Sequence, residues 1–128
     1  MPGRDLHARR FDEATLTKLD IFEQYLQLWL PVFVQSDRFD EVIICDFFAG
    51  PGYDSEGLPG SPVRIVDVIG KSAEQIRTQG LKIRVLLNEW DNSKYRSLST
   101  CAEEELKEEL RPLADLVSIE LYGRAFED

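Results

Sequence analysis

Three short apolar runs decide what this chain can fold into. Val42-Ile-Ile-Cys45, Ile83-Arg-Val-Leu-Leu87 and Leu116-Val-Ser-Ile-Glu-Leu121 are brief and rich in β-branched residues. Runs of this kind suit strands, and an unbroken apolar one suits a parallel strand buried on both faces. Helical patterns lie between them. Ser61 followed by Pro62 reads as an N-cap and a proline at the first helical position. Val63, Val66, Ile69 and Ala73 continue that helix, with Gly70 as a weak point. A second helix is capped by Asp91, Asn92 or Ser93, carries Tyr95, Leu98, Ala102, Leu106 and Leu110, and closes at Pro112. The alternation β-α-β-α-β predicts an α/β fold with a parallel sheet and right-handed crossovers. Cys45, inside the first strand, is expected to be a small buried hydrophobe.

A leading helix precedes the first strand. Residues 1–14 read as a loose polar arm, and Thr15 or Thr17 can cap the helix. Leu19, Phe22, Leu26 and Trp29/Leu30 recur at spacings of three and four, and Ile21, Tyr25 and Leu28 widen the stripe. Pro31 is expected to kink or end this helix, because it removes a backbone donor and crowds the previous turn. The organisation is thus an arm and leading helix over 1–40 and the α/β unit over 41–128.

Charge and special residues narrow the chemistry. Fifteen Lys+Arg stand against 24 Asp+Glu, a formal charge of −9. Sequence-independent phosphate binding depends on clustered cations, so the charge does not support a nucleic-acid substrate, although a missing segment or a partner could read one. Two cysteines, Cys45 and Cys101, make neither a disulfide framework nor a four-ligand zinc site. The single histidine, His7, lies in the polar arm, which leaves little His-based metal or acid–base chemistry. The run Glu103-Glu104-Glu105 reads as a solvated helix face. The longest apolar stretch, near Leu26 to Val34, is interrupted by Gln27 and Pro31 and falls short of the ~20 residues a membrane span needs. A cytoplasmic protein is the expectation.

In parallel sheets ligands sit at the carboxyl ends of the strands. The first such end is Asp46-Phe-Phe-Ala-Gly-Pro-Gly52, a glycine-rich turn that lets backbone approach a ligand closely. It lacks the third glycine of a dinucleotide fingerprint, and no helix follows at once, so a pyrophosphate cradle is poorly supported. The second is Glu89-Trp90, where a carboxylate can accept from ribose hydroxyls and an indole offers a flat wall for adenine. A tight turn and an exposed Glu beside a core Trp are the plainer readings. Taken together the two motifs describe a nucleoside site without a phosphate.

These residues resemble motif I of class I S-adenosylmethionine-dependent methyltransferases. Adding Thr17-Lys18-Leu19, the Tyr25-Leu26 pair, Gly60-Ser61-Pro62 and Glu89, the pattern over roughly 15 to 126 is similar to the three-Cys-motif partner protein family. The resemblance implies a Rossmann-like half-domain of three parallel strands in the order 3-2-1, with helices on its faces. It implies S-adenosylmethionine as cofactor. Asp46, Phe48, Ala49, Gly50 and Gly52 would surround its methionine and ribose parts, Glu89 the ribose, and Trp90 the adenine. Lys18 belongs to the same pattern. It also implies a three-Cys-motif protein as a partner. One departure is Arg124, in Gly123-Arg-Ala-Phe126, where an acidic residue often meets the adenine amino group; Arg cannot accept a hydrogen bond.

The family domain has seven strands and this chain has three, so the expectation is the cofactor half of a methyltransferase, inactive alone, with no residue nameable as catalytic base. The rival is a non-catalytic interaction module that keeps the fold. With no fourth strand, Val42–Cys45 is expected to be a bare edge that drives self-association, unless the leading helix seals it with Leu26, Trp29, Leu30 and Phe33.

Overall fold

A computed structural model describes residues 10–124. His7, Ala125 and Phe126 therefore lie outside the described residues. The order of elements is α1 (Glu13–Val34), β1 (Glu41–Asp46), α2 (Ser61–Lys71), α3 (Ala73–Gln79), β2 (Lys82–Asn88), α4 (Asn92–Cys101), a π-helical turn (Ala102–Leu106), α5 (Lys107–Glu109), a 3-10 turn (Arg111–Leu113) and β3 (Val117–Tyr122). The sheet has the order β1-β2-β3, and both pairings are parallel.

The register explains how the sheet is covered. Val42, Ile83 and Val117 stand side by side, as do Ile44, Val85 and Ile119. All but Ile119, which packs half-buried against it, belong to the core, together with Leu26, Leu30 and Val34 of α1, Ile65, Val66 and Ile69 of α2, and Leu98 of α4. The opposite face carries Ile43, Cys45, Arg84, Leu86, Ser118 and Glu120, and none of these is buried. Helices were expected on both faces; they pack on one. The reason is topological. Both crossovers step in the same direction, from β1 to β2 to β3, and right-handed connections moving one way put their helices on one side.

The same geometry corrects the reading of β1. Its burial alternates, with Val42 and Ile44 inside and Ile43 and Cys45 outside. An all-apolar run was read as doubly buried, but only one of its faces has a covering layer. The bare face is held by a polar cross-strand group. Arg84 donates to both carboxylate oxygens of Glu120 at 2.8 and 3.1 Å, and the Tyr122 hydroxyl donates to Glu120 at 2.9 Å. The side-chain hydrogen bond from Arg84 and then that from Tyr122 hold the Glu120 carboxyl below its ordinary range.

Two boundaries of α1 also differ from expectation. Its cap is Asp12, whose Oδ1 accepts from the Thr15 backbone N–H at 2.7 Å, so the arm is shorter than 1–14. The N–H donor pulls the Asp12 carboxyl below its usual range. Pro31 lies inside the helix, which runs on to Val34. The last turn is held elsewhere: Val34 is fully buried, Phe33 stacks obliquely between Trp29 and Phe39, and the Gln35 N–H donates to the Pro31 carbonyl at 2.9 Å. One lost donor is tolerable when the apolar face of the turn is anchored in this way.

α1 is tied to α2 by a buried cation that the sequence reading passed over. Arg64 is buried, donating to Asp20 at 2.6 Å, to Glu23 at 3.5 Å and, through Nε, to the Pro59 carbonyl at 2.9 Å. α1 thus packs on α2 and, more lightly, α3. Leu26 and Leu30 are spent in this core, with Trp29 and Phe33 at its margin. β1 remains an edge of the sheet, paired with β2 alone. No helix among the described residues is long and apolar enough to cross a membrane.

The two cysteines should separate cleanly in a thiol titration. Cys45 is exposed, whereas Cys101 is buried, and burial followed by its contact with Glu105 pushes its pKa up to about 12. Folded protein at pH ~8, near the ordinary thiol pKa, should react with Ellman's reagent at Cys45 only. Cys101 should follow on unfolding. Rapid labelling of both in the native state would contradict this burial.

Candidate functional site

The parallel sheet brings three strand ends to one edge, and backbone hydrogen bonds stitch them together. The Ala49 N–H donates to the Asn88 carbonyl at 3.0 Å, and the Glu89 N–H to the Tyr122 carbonyl at 2.9 Å. The Asn88 carboxamide reaches both ways. Its Nδ2 donates to the carbonyls of Phe47 and Arg124 at 3.3 and 2.8 Å, and its Oδ1 accepts from the Arg124 N–H at 3.1 Å. Asn88 was no sequence candidate; the available signal was a polar residue closing an apolar strand. Arg124, the departure from the family pattern, meets Asn88 through its backbone.

Glu89 is the centre of this arrangement. It is only 6% exposed. Its Oε1 accepts from the Gly50 N–H at 2.9 Å and its Oε2 from the Asp91 N–H at 3.1 Å. One carboxylate therefore joins the glycine-rich turn after β1 to the start of α4. Each oxygen retains a second lone pair for a further donor. Asp91 in turn caps α4 by accepting from the Lys94 N–H at 3.0 Å.

The glycines of the turn divide by role. Gly50 has φ +77°, and a Cβ built there would meet nothing within 4 Å. Gly52 has φ +102°, but its Cβ would stand 2.9 Å from the Cys101 Sγ. The need for glycine at 52 is thus explained by the close approach of α4. Asp46 folds its Oδ1 back to accept from the Phe48 N–H at 3.0 Å. Ala49 is buried, so it presents backbone, while Phe48 and Trp90 are large exposed aromatics. Asp46, Phe48, Ala49, Gly50, Gly52, Glu89 and Trp90 all fall at this edge of the sheet.

A groove of about 400 Å³ opens beside it. It is lined by Thr15, Lys18, Leu19 and Phe22 of α1, by Cys45 to Phe48, and by Ser61 of α2. Three separated pieces of the sequence pattern, around Lys18, Asp46 and Ser61, meet here. The α2 cap is Gly60 rather than Ser61, with Pro62 in the first turn and no side-chain cap.

The loop between Gly52 and Gly60 is ordered by one acid. Asp54 accepts from the backbone N–H groups of Phe11, Glu56 and Leu58 at 2.8 to 2.9 Å. The Gly60 N–H returns to the Gly52 carbonyl at 2.6 Å and closes the loop. Burial acts to raise the Asp54 pKa, but the three backbone donors and Arg10 outweigh it and hold the carboxyl below its usual range. Near the loop's base, burial and then the charge of Glu105 raise the Tyr53 pKa. Neither Tyr53 nor Cys101 is thereby set up as a nucleophile or base at neutral pH. Among the described residues no group of three or more His, Cys, Asp or Glu side chains can hold a metal ion. No protein family, curated protein or solved structure matches this chain.

Two expectations follow. Gly52→Ala should cost about 2–4 kcal/mol, combining left-handed strain with overpacking against Cys101, while Gly50→Ala should cost about 1 kcal/mol from strain alone. Chemical denaturation of the two variants checks the order, and a Cys101→Ala background should relieve part of the first cost only. For Asp54, whose folded pKa is depressed, stabilisation is present above its unfolded value near 3.9 and is lost as pH falls through the folded one. Asp54→Asn should lower stability at pH 7 by about 1–3 kcal/mol and flatten the acid limb below about pH 4. An acid limb unchanged by the substitution would place that sensitivity elsewhere.

Proposed function

We propose that this chain is the S-adenosylmethionine-binding part of a methyltransferase, in the manner of a Rossmann-like half-domain with strand order 3-2-1. The observation that carries the reading is the turn at Gly50. There a left-handed glycine with open space over its Cα is held in place by a buried carboxylate from the neighbouring strand end. The left-handed φ accounts for the glycine itself, and what supports a ligand here is that the open space lies beside a buried carboxylate at the strand ends.

The residues present fit the group. Asp46, Phe48 and the backbone of Ala49 and Gly50 would border its methionine and ribose parts. Gly52 shapes the turn through its packing. Glu89 keeps a lone pair on each oxygen for ribose hydroxyls, and Trp90 offers its exposed indole to the adenine. The bound cofactor supplies an already activated sulfonium. The chain's own task is to orient it, to exclude water with Phe48 and Trp90, and to place the carboxylates of Asp46 and Glu89 nearby. None of these residues is positioned as a base for the acceptor. The proposal extends to a cytoplasmic setting, a three-Cys-motif protein partner and an open choice of acceptor.

A specific observation favours the rival reading, an interaction module without transfer. Both Glu89 oxygens already accept backbone N–H donors, which is what a purely structural carboxylate does. Calorimetric titration with S-adenosylhomocysteine separates the two. Binding is expected. Trp90→Ala, at an exposed position, should weaken it by about 1 kcal/mol, roughly five-fold. Gly50→Val should abolish it with the circular dichroism spectrum retained. Absence of heat with folded protein, or undiminished affinity in Gly50→Val, would favour the module.

A further inference from the structure

Four exposed large hydrophobic side chains lie on α1, more than on any other element, and they form a single line. Ile21, Tyr25, Leu28 and Val32 are 62, 62, 77 and 65% exposed. Their spacing of four, three and four residues places them on one helical face. Leu26, Leu30 and Val34 already bury the other face in the core. Between Ile21 and Val32 the only charged residue is Glu23, which pairs with Arg64 at 3.5 Å on the α2 side.

We infer that this stripe of α1 is a homodimer interface in which two copies pack their α1 helices antiparallel about a two-fold axis. The spacing is its own mirror along the helix. An axis between residues 26 and 27 sets Ile21 opposite Val32 of the second copy and Tyr25 opposite Leu28. A self-complementary patch of this kind is what an isologous contact needs. The chain carries a charge of −9, which opposes self-association in general. A stripe free of charge is the place where that repulsion is least.

Two further features agree. The same axis sets Lys18 opposite Gln35, the C-cap of α1, and the last turn of α1 contains no basic residue of its own. Each copy would thus place an ammonium group at the electronegative helix end of the other. The exposed area of the four side chains is roughly 500 Å² per copy, so a pair buries about 1,000 Å², the lower bound for a specific interface. The edge of β1 is a poorer route to self-association. An antiparallel pairing of Glu41–Asp46 with itself sets Glu41 against Asp46 twice, and facing like charges destabilise a ladder.

Sedimentation equilibrium over about 10 to 200 µM, a range suited to a small interface, tests the inference on the whole chain. The expected result is a monomer–dimer equilibrium of the 14.7 kDa chain. Leu28→Lys, at an exposed position, should weaken the dimer at least about ten-fold and leave the circular dichroism melt unchanged. Ile21→Lys and Val32→Glu should each weaken it as well. The double substitution should restore it to within about three-fold, because the opposite charges meet across the axis. Ile43→Lys, on the bare sheet face, should have no effect. A monomer throughout that range would overturn the inference. A dimer lost in Ile43→Lys but kept in Leu28→Lys, or one that the charge pair does not restore, would overturn it too.

Discussion

The Glu89 carboxylate is the point on which the carboxyl edge of the sheet depends. A buried carboxylate is costly unless it is hydrogen-bonded, and here each oxygen accepts one backbone N–H from a different loop. The turn at Gly50 and the first residues of α4 are thereby held at fixed separation. Asn88, one residue earlier, adds the link to the segment after β3. Two adjacent polar side chains at the end of one strand thus organise all three loops of the candidate site. A parallel sheet makes this possible, because it brings its strand ends to the same edge.

The other constraint is handedness. Parallel crossovers take the right-handed form, and two of them stepping in the same direction cover one face and leave the other bare. The bare face is kept polar at its centre by Arg84, Glu120 and Tyr122, while Ile43 and Cys45 stand out near the edge strand. α1 extends the covered side and ends it with an apolar stripe facing outward. The molecule therefore has a core layer, a polar stitched edge that forms the candidate site, and apolar outer surfaces beyond the core.

Much of this was legible in sequence because it follows from periodicity. The three strands lie within a residue or so of the apolar runs that announced them, and Asp91 was among the named caps of α4. The candidate site residues do gather at one edge, since strand ends must do so in a parallel sheet. Other features depend on tertiary contacts and carry no local mark. An unbroken apolar run cannot say whether one or both of its faces is covered, so Cys45 was misplaced. Pro31 stays helical because Val34 and Phe33 are anchored by distant residues. Asp12 outcompeted Thr15 and Thr17 as a cap, and Arg64 is buried because Asp20 and Glu23 reach it from another helix. The different reasons for glycine at 50 and 52 appear only when Cys101 is placed beside the second.

The functional account rests on a ligand at the stitched edge, in contact with Gly50 and the end of β2. The most direct measurement is the two-dimensional amide NMR spectrum of the chain with and without S-adenosylhomocysteine. The account predicts shifts concentrated on residues 46–52 and 88–91, largest at Gly50 and Asp91, whose N–H groups are held by Glu89. A spectrum unchanged at saturating ligand, or shifts confined to residues away from this edge, would contradict it.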